Sequence, residues 1–232
     1  MIAERPVLMV DLMAQACAEL CKTQTRRTRG LKELNQEPDI WVWMGYGAEG
    51  VFEFARKPGY PVLNSFLRCP YGVSGDRLWV KETFKIATHY ILRPDRSLNP
   101  KDCVVYRAIN SCLDNCEHID PASNTLPWKP SIFMPRKYSR TLLEITDVIP
   151  QRIQDMTDAD ALAEGIKIVP ITGMGSCHCL YTIDDIEVFE TALKAYRHLF
   201  RIVNHQKGGK DTSWARNDWV WKITFKVLET RS

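Results

Sequence analysis

The sequence predicts an α+β fold of mostly antiparallel strands flanked by helices. Three observations predict it. Apolar residues recur at helical spacing over 8–21 and again on one stripe over 184–203. Trp219, Trp221, Ile223, Phe225 and Val227 alternate with Lys222, Thr224 and Lys226, the pattern of a strand with one buried face. Two β-rich runs, Ile40–Met44 and Val51–Phe54, flank a Gly-rich stretch and read as a hairpin. The 232 residues, 45% hydrophobic and 25% charged, suit a single domain spanning 1–232.

In order, Leu8/Met9, Leu12/Met13, Ala16/Cys17 and Leu20/Cys21 mark the first helix, with Cys17 and Cys21 as small buried hydrophobes. Lys57–Pro61 is a loop. Ser74-Gly75-Asp76 is a turn before a strand over Arg77–Phe84. On that strand Leu78, Val80 and Glu82 share a face. A carboxylate on an apolar face costs free energy unless paired. Glu82 therefore either meets a buried Arg or Lys or lines a pocket, and the structural pair is the preferred reading. Thr141–Ile149 is a strand. Asp155–Gly165 holds a short helix with Thr157 as cap, Asp158 and Asp160 at its positive end and Gly165 as its stop. Glu164 sits at the last turn, where the helix dipole disfavours an anion. His198 and His205 read as surface residues. The Gly-rich run 172–176 lacks the lysine and spacing of a phosphate loop.

The net charge of +3 permits a basic patch without demanding a nucleic-acid partner. No run of about 18 apolar residues is present, so no membrane partner is expected. The first residues lack a secretory pattern, so the expected location is the cytoplasm, with the eight cysteines expected in a reducing compartment. Cys112, Cys116 and His118, with Cys177, His178 and Cys179, form the one candidate metal set. Cys112, Cys116, Cys177 and Cys179 could hold a structural zinc.

Lys22-Thr23-Gln24-Thr25-Arg26-Arg27 concentrates one ammonium, two hydroxyls and two guanidiniums in six residues. Lys22 one helical turn from Thr25 would set a base beside a hydroxyl. The same cluster also suits a helix end, where the dipole favours cations. Trp128-Lys129-Pro130 and Pro135–Arg140 mix cations with aromatics, as phosphates and stacked bases require. A solvated basic loop accounts for them equally.

These residues carry a resemblance. Lys22–Arg27, Cys69-Pro70-Tyr71-Gly72, Gly75–Thr83, Trp128–Arg136, Gln154–Gly165 and Asn217–Trp221 together resemble the ASCH domain family, a branch of the PUA-like β-barrels. The closest overall likeness is to phage-type ASCH proteins. The likeness spans nearly the whole chain. It implies a small antiparallel barrel flanked by helices, with a cleft for a nucleobase or RNA. One ASCH branch comprises N(4)-acetylcytidine amidohydrolases. Its lysine, second threonine and glutamate match Lys22, Thr25 and Glu164, and its arginine matches Arg27.

The resemblance thus implies catalysis by Lys22, Thr25 and Glu164 without a cofactor. The expected substrate is an N(4)-acylated cytosine or cytidine, bound by Thr23, Arg26, Arg27, Glu82, Trp128 and Tyr138. Insertions at about 31–68, 85–130 and 167–183 depart from the pattern and would reshape the pocket. The rival expectation is a binding module for a nucleobase or single-stranded nucleic acid. There Lys22, Arg26, Arg27, Arg29 and Lys32 would contact phosphates, and Trp128 or Tyr138 would stack. Endoribonuclease action fits the same cluster.

Overall fold

The computed structural model describes residues 2–47, 50–92, 98–108, 111–112, 125–170, 179–183, 187–204 and 213–231. In chain order the elements are β1 (Glu4–Leu8), α1 (Asp11–Ala18), β2 (Gln24–Arg27), β3 (Trp41–Tyr46), β4 (Val51–Arg56), β5 (Asn64–Arg68) and β6 (Arg77–Lys81). Then come β7 (Phe84–Leu92), β8 (Leu98–Tyr106), β9 (Ser111–Cys112), β10 (Thr141–Arg152), α2 (Asp158–Ala163), β11 (Lys167–Pro170) and β12 (Cys179–Thr182). The last are β13 (Val188–Phe189), α3 (Ala192–Asn204) and β14 (Trp219–Thr230).

The fold is α+β. One sheet runs β1-β6-β10-β14-β2, and three smaller ones run β3-β4-β5, β7-β8-β9 and β11-β12-β13. Strand β2 pairs antiparallel with β14, and the three small sheets are antiparallel throughout. Among the described residues no sheet closes into a barrel. No helix among them is long and apolar enough to cross a membrane.

The chain divides into two compact units, each built from separated segments. The first gathers Met1–Arg5, Cys21–Arg77 and Glu144–Lys226, and the second Pro6–Leu20, Leu78–Leu143 and Val227–Ser232. In the first, the alternation of β14 buries Trp221, Ile223 and Phe225 completely or nearly so. The expected hairpin forms as β3–β4, and its inward rings meet β14. Phe52 lies 4.7 Å from Trp221 between ring centroids, and Phe54 meets Trp219 edge-on at 5.3 Å. Strand β5 extends the hairpin to a three-stranded sheet within the expected insertion.

At the start of β14, beyond the last residue paired with β2, the Asn35 side chain pairs with the Trp219 backbone. Its Nδ2 donates to Trp219 O at 3.0 Å, and its Oδ1 accepts from Trp219 N at 2.7 Å. A side-chain amide here does the work of a backbone peptide.

The second unit holds Phe84, Tyr106 and Met134 in one buried cluster, and Ala87, Cys103 and Val105 in another. Here the expected strand over Arg77–Phe84 ends at Lys81, and Phe84 opens β7. The expected helix over 8–21 shortens to α1, burying Met13, Ala14, Ala16 and Cys17. Leu8 belongs to β1, Leu12 and Leu20 are exposed, and Leu20 takes a left-handed φ of 62° that stops the helix. Cys21 is exposed, not buried. Likewise α3 begins at Ala192, because Thr191 caps it through Oγ1 to Lys194 N and Phe189 lies in β13.

We predict that Asn35→Ala lowers the unfolding free energy by about 2 kcal/mol, since two buried backbone groups of Trp219 lose their partner. Urea denaturation followed by tryptophan fluorescence measures it.

Candidate functional site

Two chain segments build the site, both within the first unit. The first is the stretch Lys22–Arg27, of which Gln24–Arg27 form edge strand β2. It is a strand and not a helical turn, so Lys22 and Thr25 are not stacked one above the other. The register sets Arg26 opposite Lys222 and Thr25 opposite Ile223. Strand alternation therefore turns Arg26 and Lys222 to one face and Thr25 to the other.

The second segment is α2. Its cap is a reciprocal box: Thr157 Oγ1 accepts from Asp160 N, and Asp160 Oδ2 accepts from Thr157 N. Gly165 follows Glu164 with a φ of 99°, which terminates the helix and leaves Glu164 as its C-cap. Backbone bonds fix the two segments together. Thr23 N donates to Ala163 O at 2.8 Å, and Phe225 N donates to Thr23 O at 2.8 Å.

On that frame an ion network forms. Lys22 Nζ donates to Glu164 Oε2 at 2.5 Å and to Glu164 O at 2.7 Å, across 142 positions of sequence. Arg26 Nη1 donates to Glu164 Oε1 at 3.1 Å. Its Nη2 reaches Gln151 Oε1 at 3.1 Å and Asp160 Oδ2 at 3.2 Å. Lys222 Nζ completes the set at 2.7 Å from Asp160 Oδ1. Tyr196, from α3, donates to Glu164 Oε1 at 3.4 Å. Three cations thus face two carboxylates, and the balance is positive.

Burial sharpens these contacts. Lys22 is 1% exposed and Glu164 3%. Burial and the Glu164 charge hold the Tyr196 phenol well above its usual range, so it remains a neutral donor. Burial pushes the Asp160 carboxyl up, but the Lys222 and Thr157 hydrogen bonds and the Arg26 and Lys222 charges outweigh it, bringing the group to about 2.

Lys22 and Glu164, expected from sequence as catalytic, therefore meet. Thr25 is 3% exposed and makes no hydrogen bond with either among the described residues. Arg26 lies at the centre of the network, Arg27 is half-buried opposite Trp221, and the Thr23 side chain is exposed. Asp160, Lys222, Tyr196 and Gln151 were not singled out from sequence as site residues. Asp160 reads as a helix-end anion and Lys222 as an outward residue, and only the strand register puts Lys222 beside Arg26.

The remaining expected residues belong to the second unit and have partners there. Arg140 grips Glu82 with two of its three guanidinium nitrogens, Nε donating to Oε1 at 2.8 Å and Nη2 to Oε2 at 3.0 Å, with both side chains buried. This is the structural pair favoured from sequence. Burial pushes the Glu82 carboxyl up from its ordinary 4.5, Arg140 opposes that, and the Asp11 charge adds to it. Trp128 packs on Ala87, Cys103 and Val105 with Lys85 Nζ 4.7 Å from its ring centroid. Tyr138 packs against Phe84 at 5.9 Å, and its carbonyl accepts from Tyr106. Of the candidate zinc ligands, Cys116 and Cys177 lie outside the described residues, as do His118 and His178. Only the backbone of Cys112 and Cys179 is described.

Two stability predictions follow from these charges. At pH 7, Asp160→Asn lowers the unfolding free energy by about 2 kcal/mol, the worth of a carboxyl held near 2 in the fold and at 3.8 unfolded. Because the folded value is depressed, this stabilisation is present above about pH 4 and disappears as pH falls towards 2, so the two melting curves converge there. Arg140→Met strands a buried carboxylate and costs about 3–5 kcal/mol at pH 7. A raised folded value makes ionised Glu82 a burden at neutral pH, so this penalty shrinks as pH falls from 7 towards 4.5. Thermal denaturation across that range tests it.

Comparison with family models, curated proteins and solved structures finds no match for this chain.

Proposed function

We propose that the protein is an amidohydrolase that removes an acyl group from the exocyclic amine of an N(4)-acylated cytosine or cytidine. The proposal includes a PUA-like arrangement of the strands, which the resemblance implies. One observation carries the reading: Lys22 and Glu164, distant in sequence and matched independently to one motif, lie 2.5 Å apart in a buried, cation-rich setting.

The geometry favours a division of labour. Lys22 already donates two N–H bonds to Glu164, so it acts as the cationic donor and Glu164 as the base. A water adds to the acyl carbon and gives its proton to Glu164, because strand alternation turns Thr25 to the face away from Arg26 and its carboxylates. The third Lys22 N–H supports the oxyanion. On collapse the C–N bond breaks, and Glu164 returns the proton to the departing amine. Arg26 and Tyr196 hold Glu164 in place through its other oxygen. Because both dyad members are nearly fully covered, the acyl group reaches them only as covering side chains shift.

A second reading rests on that same burial. Both oxygens of Glu164 are already engaged, so the network is also a sufficient staple between β2 and α2 with no chemistry. Turnover distinguishes the two. Incubation with N(4)-acetylcytidine should yield cytidine, with Lys22→Ala and Glu164→Gln lowering kcat at least 100-fold. Folded wild-type protein giving no more cytidine than Lys22→Ala would leave the staple reading alone.

A further inference from the structure

Helix α3 carries a groove that the proposed chemistry does not use. Two cavities, of about 380 and about 520 Å³, share Lys194, Arg197, Trp214 and Ala215 in their walls and so adjoin. Each falls in the size range of small-ligand sites. Lys22, Thr25 and Glu164 line neither.

The groove's chemistry is a row of cations over rings. Lys194, Arg197 and Arg201 lie at i, i+3 and i+7 on α3 and share one face. Arg197 sits 5.7 Å over the ring of half-buried Trp214, and Phe200 meets that ring edge-on at 6.0 Å. Counter-charges are present but occupied. Glu190 pairs with Lys194, Glu187 faces His198 at 3.1 Å, and Asp158 Oδ1 accepts from Leu193 N at 2.9 Å. Among the described residues no carboxylate pairs with Arg197 or Arg201, and both are exposed. Two exposed guanidiniums, one of them 3.5 Å from His198 Nδ1, beside an indole suit a ligand that offers phosphate and a flat ring together.

We infer that this groove binds a nucleotide unit, its phosphate on Arg197 and Arg201 and its base stacked on Trp214 or on the Arg197 guanidinium plane. The unit belongs to a free nucleotide or to a single strand, and the two sources share this chemistry. The site stands apart from the Lys22–Glu164 dyad and does not require the amidohydrolase reading.

The test uses the full chain with a fluorescein-labelled 12-mer of uridines, with uridine monophosphate and inorganic phosphate as separate competitors, over 50–200 mM salt. Wild type should bind, by anisotropy, with affinity that falls as salt rises. Arg197→Ala/Arg201→Ala should weaken binding at least tenfold and flatten the log–log salt slope by about 1.4, the value for two phosphate contacts on a single strand. Trp214→Leu should weaken it about tenfold with the slope retained. Competition by the monophosphate at concentrations where phosphate is inert assigns a free nucleotide; binding of the 12-mer without such competition assigns a strand. Equal affinity of wild type and the folded double-arginine variant, or no binding of the 12-mer at 50 mM salt, overturns the inference.

Discussion

Arg26 is the constraint on which the site's construction depends. A guanidinium with no exposed side-chain surface must find carboxylates, and the fold brings it two, one from each end of α2. Asp160 caps the helix N-terminus and Glu164 its C-terminus, so a single arginine on β2 reads both ends of one short helix. Lys22 and Lys222 add the remaining charge. Removing Glu164 leaves buried Lys22 without its carboxylate, and removing Arg26 takes one cation from each carboxylate, so the six-residue helix sits in a defined place although so short a helix has little stability of its own.

The same arrangement explains how a site for chemistry could be kept ready. Glu164 at a helix C-terminus faces the negative end of the dipole, an unfavourable position offset by an ammonium and a guanidinium. Tyr196, kept neutral by burial, adds a hydrogen bond without adding charge. The surplus of positive charge favours a group that becomes negative during reaction, which is what acyl transfer creates. The β2 alternation sends Thr25 and Arg26 to opposite faces, so the threonine lies on the Ile223 side, away from the carboxylates that Arg26 meets.

The second unit applies a similar rule with a different result. Glu82 and Arg140 form a closed bidentate pair and so satisfy one another. Trp128 and Tyr138 present rings that pack on apolar clusters or beneath lysines. Cation–aromatic mixtures in sequence thus serve packing at 128–140. On α3 a similar mixture lies along an open groove, where Lys194, Arg197 and Arg201 remain at the surface.

The sequence by itself determined the elements whose signals are local. The β14 alternation, the β3–β4 hairpin and the Thr157 cap with its Gly165 stop were all legible, because period, turn chemistry and capping are set within a few residues. Glu82 as half of a buried pair was legible too, since an apolar face tolerates a carboxylate on no other terms. Boundaries were less so. The helices over 8–21 and 184–203 shortened where Leu20 turned left-handed and Thr191 capped, features that apolar spacing does not carry. The resemblance named Lys22 and Glu164 for one site, but only the tertiary structure decided that they pair directly, that Lys222 and Tyr196 join the network, and that Gln24–Arg27 form a strand. Those outcomes depend on pairing register and on distances across 142 positions of chain, and no local pattern encodes either.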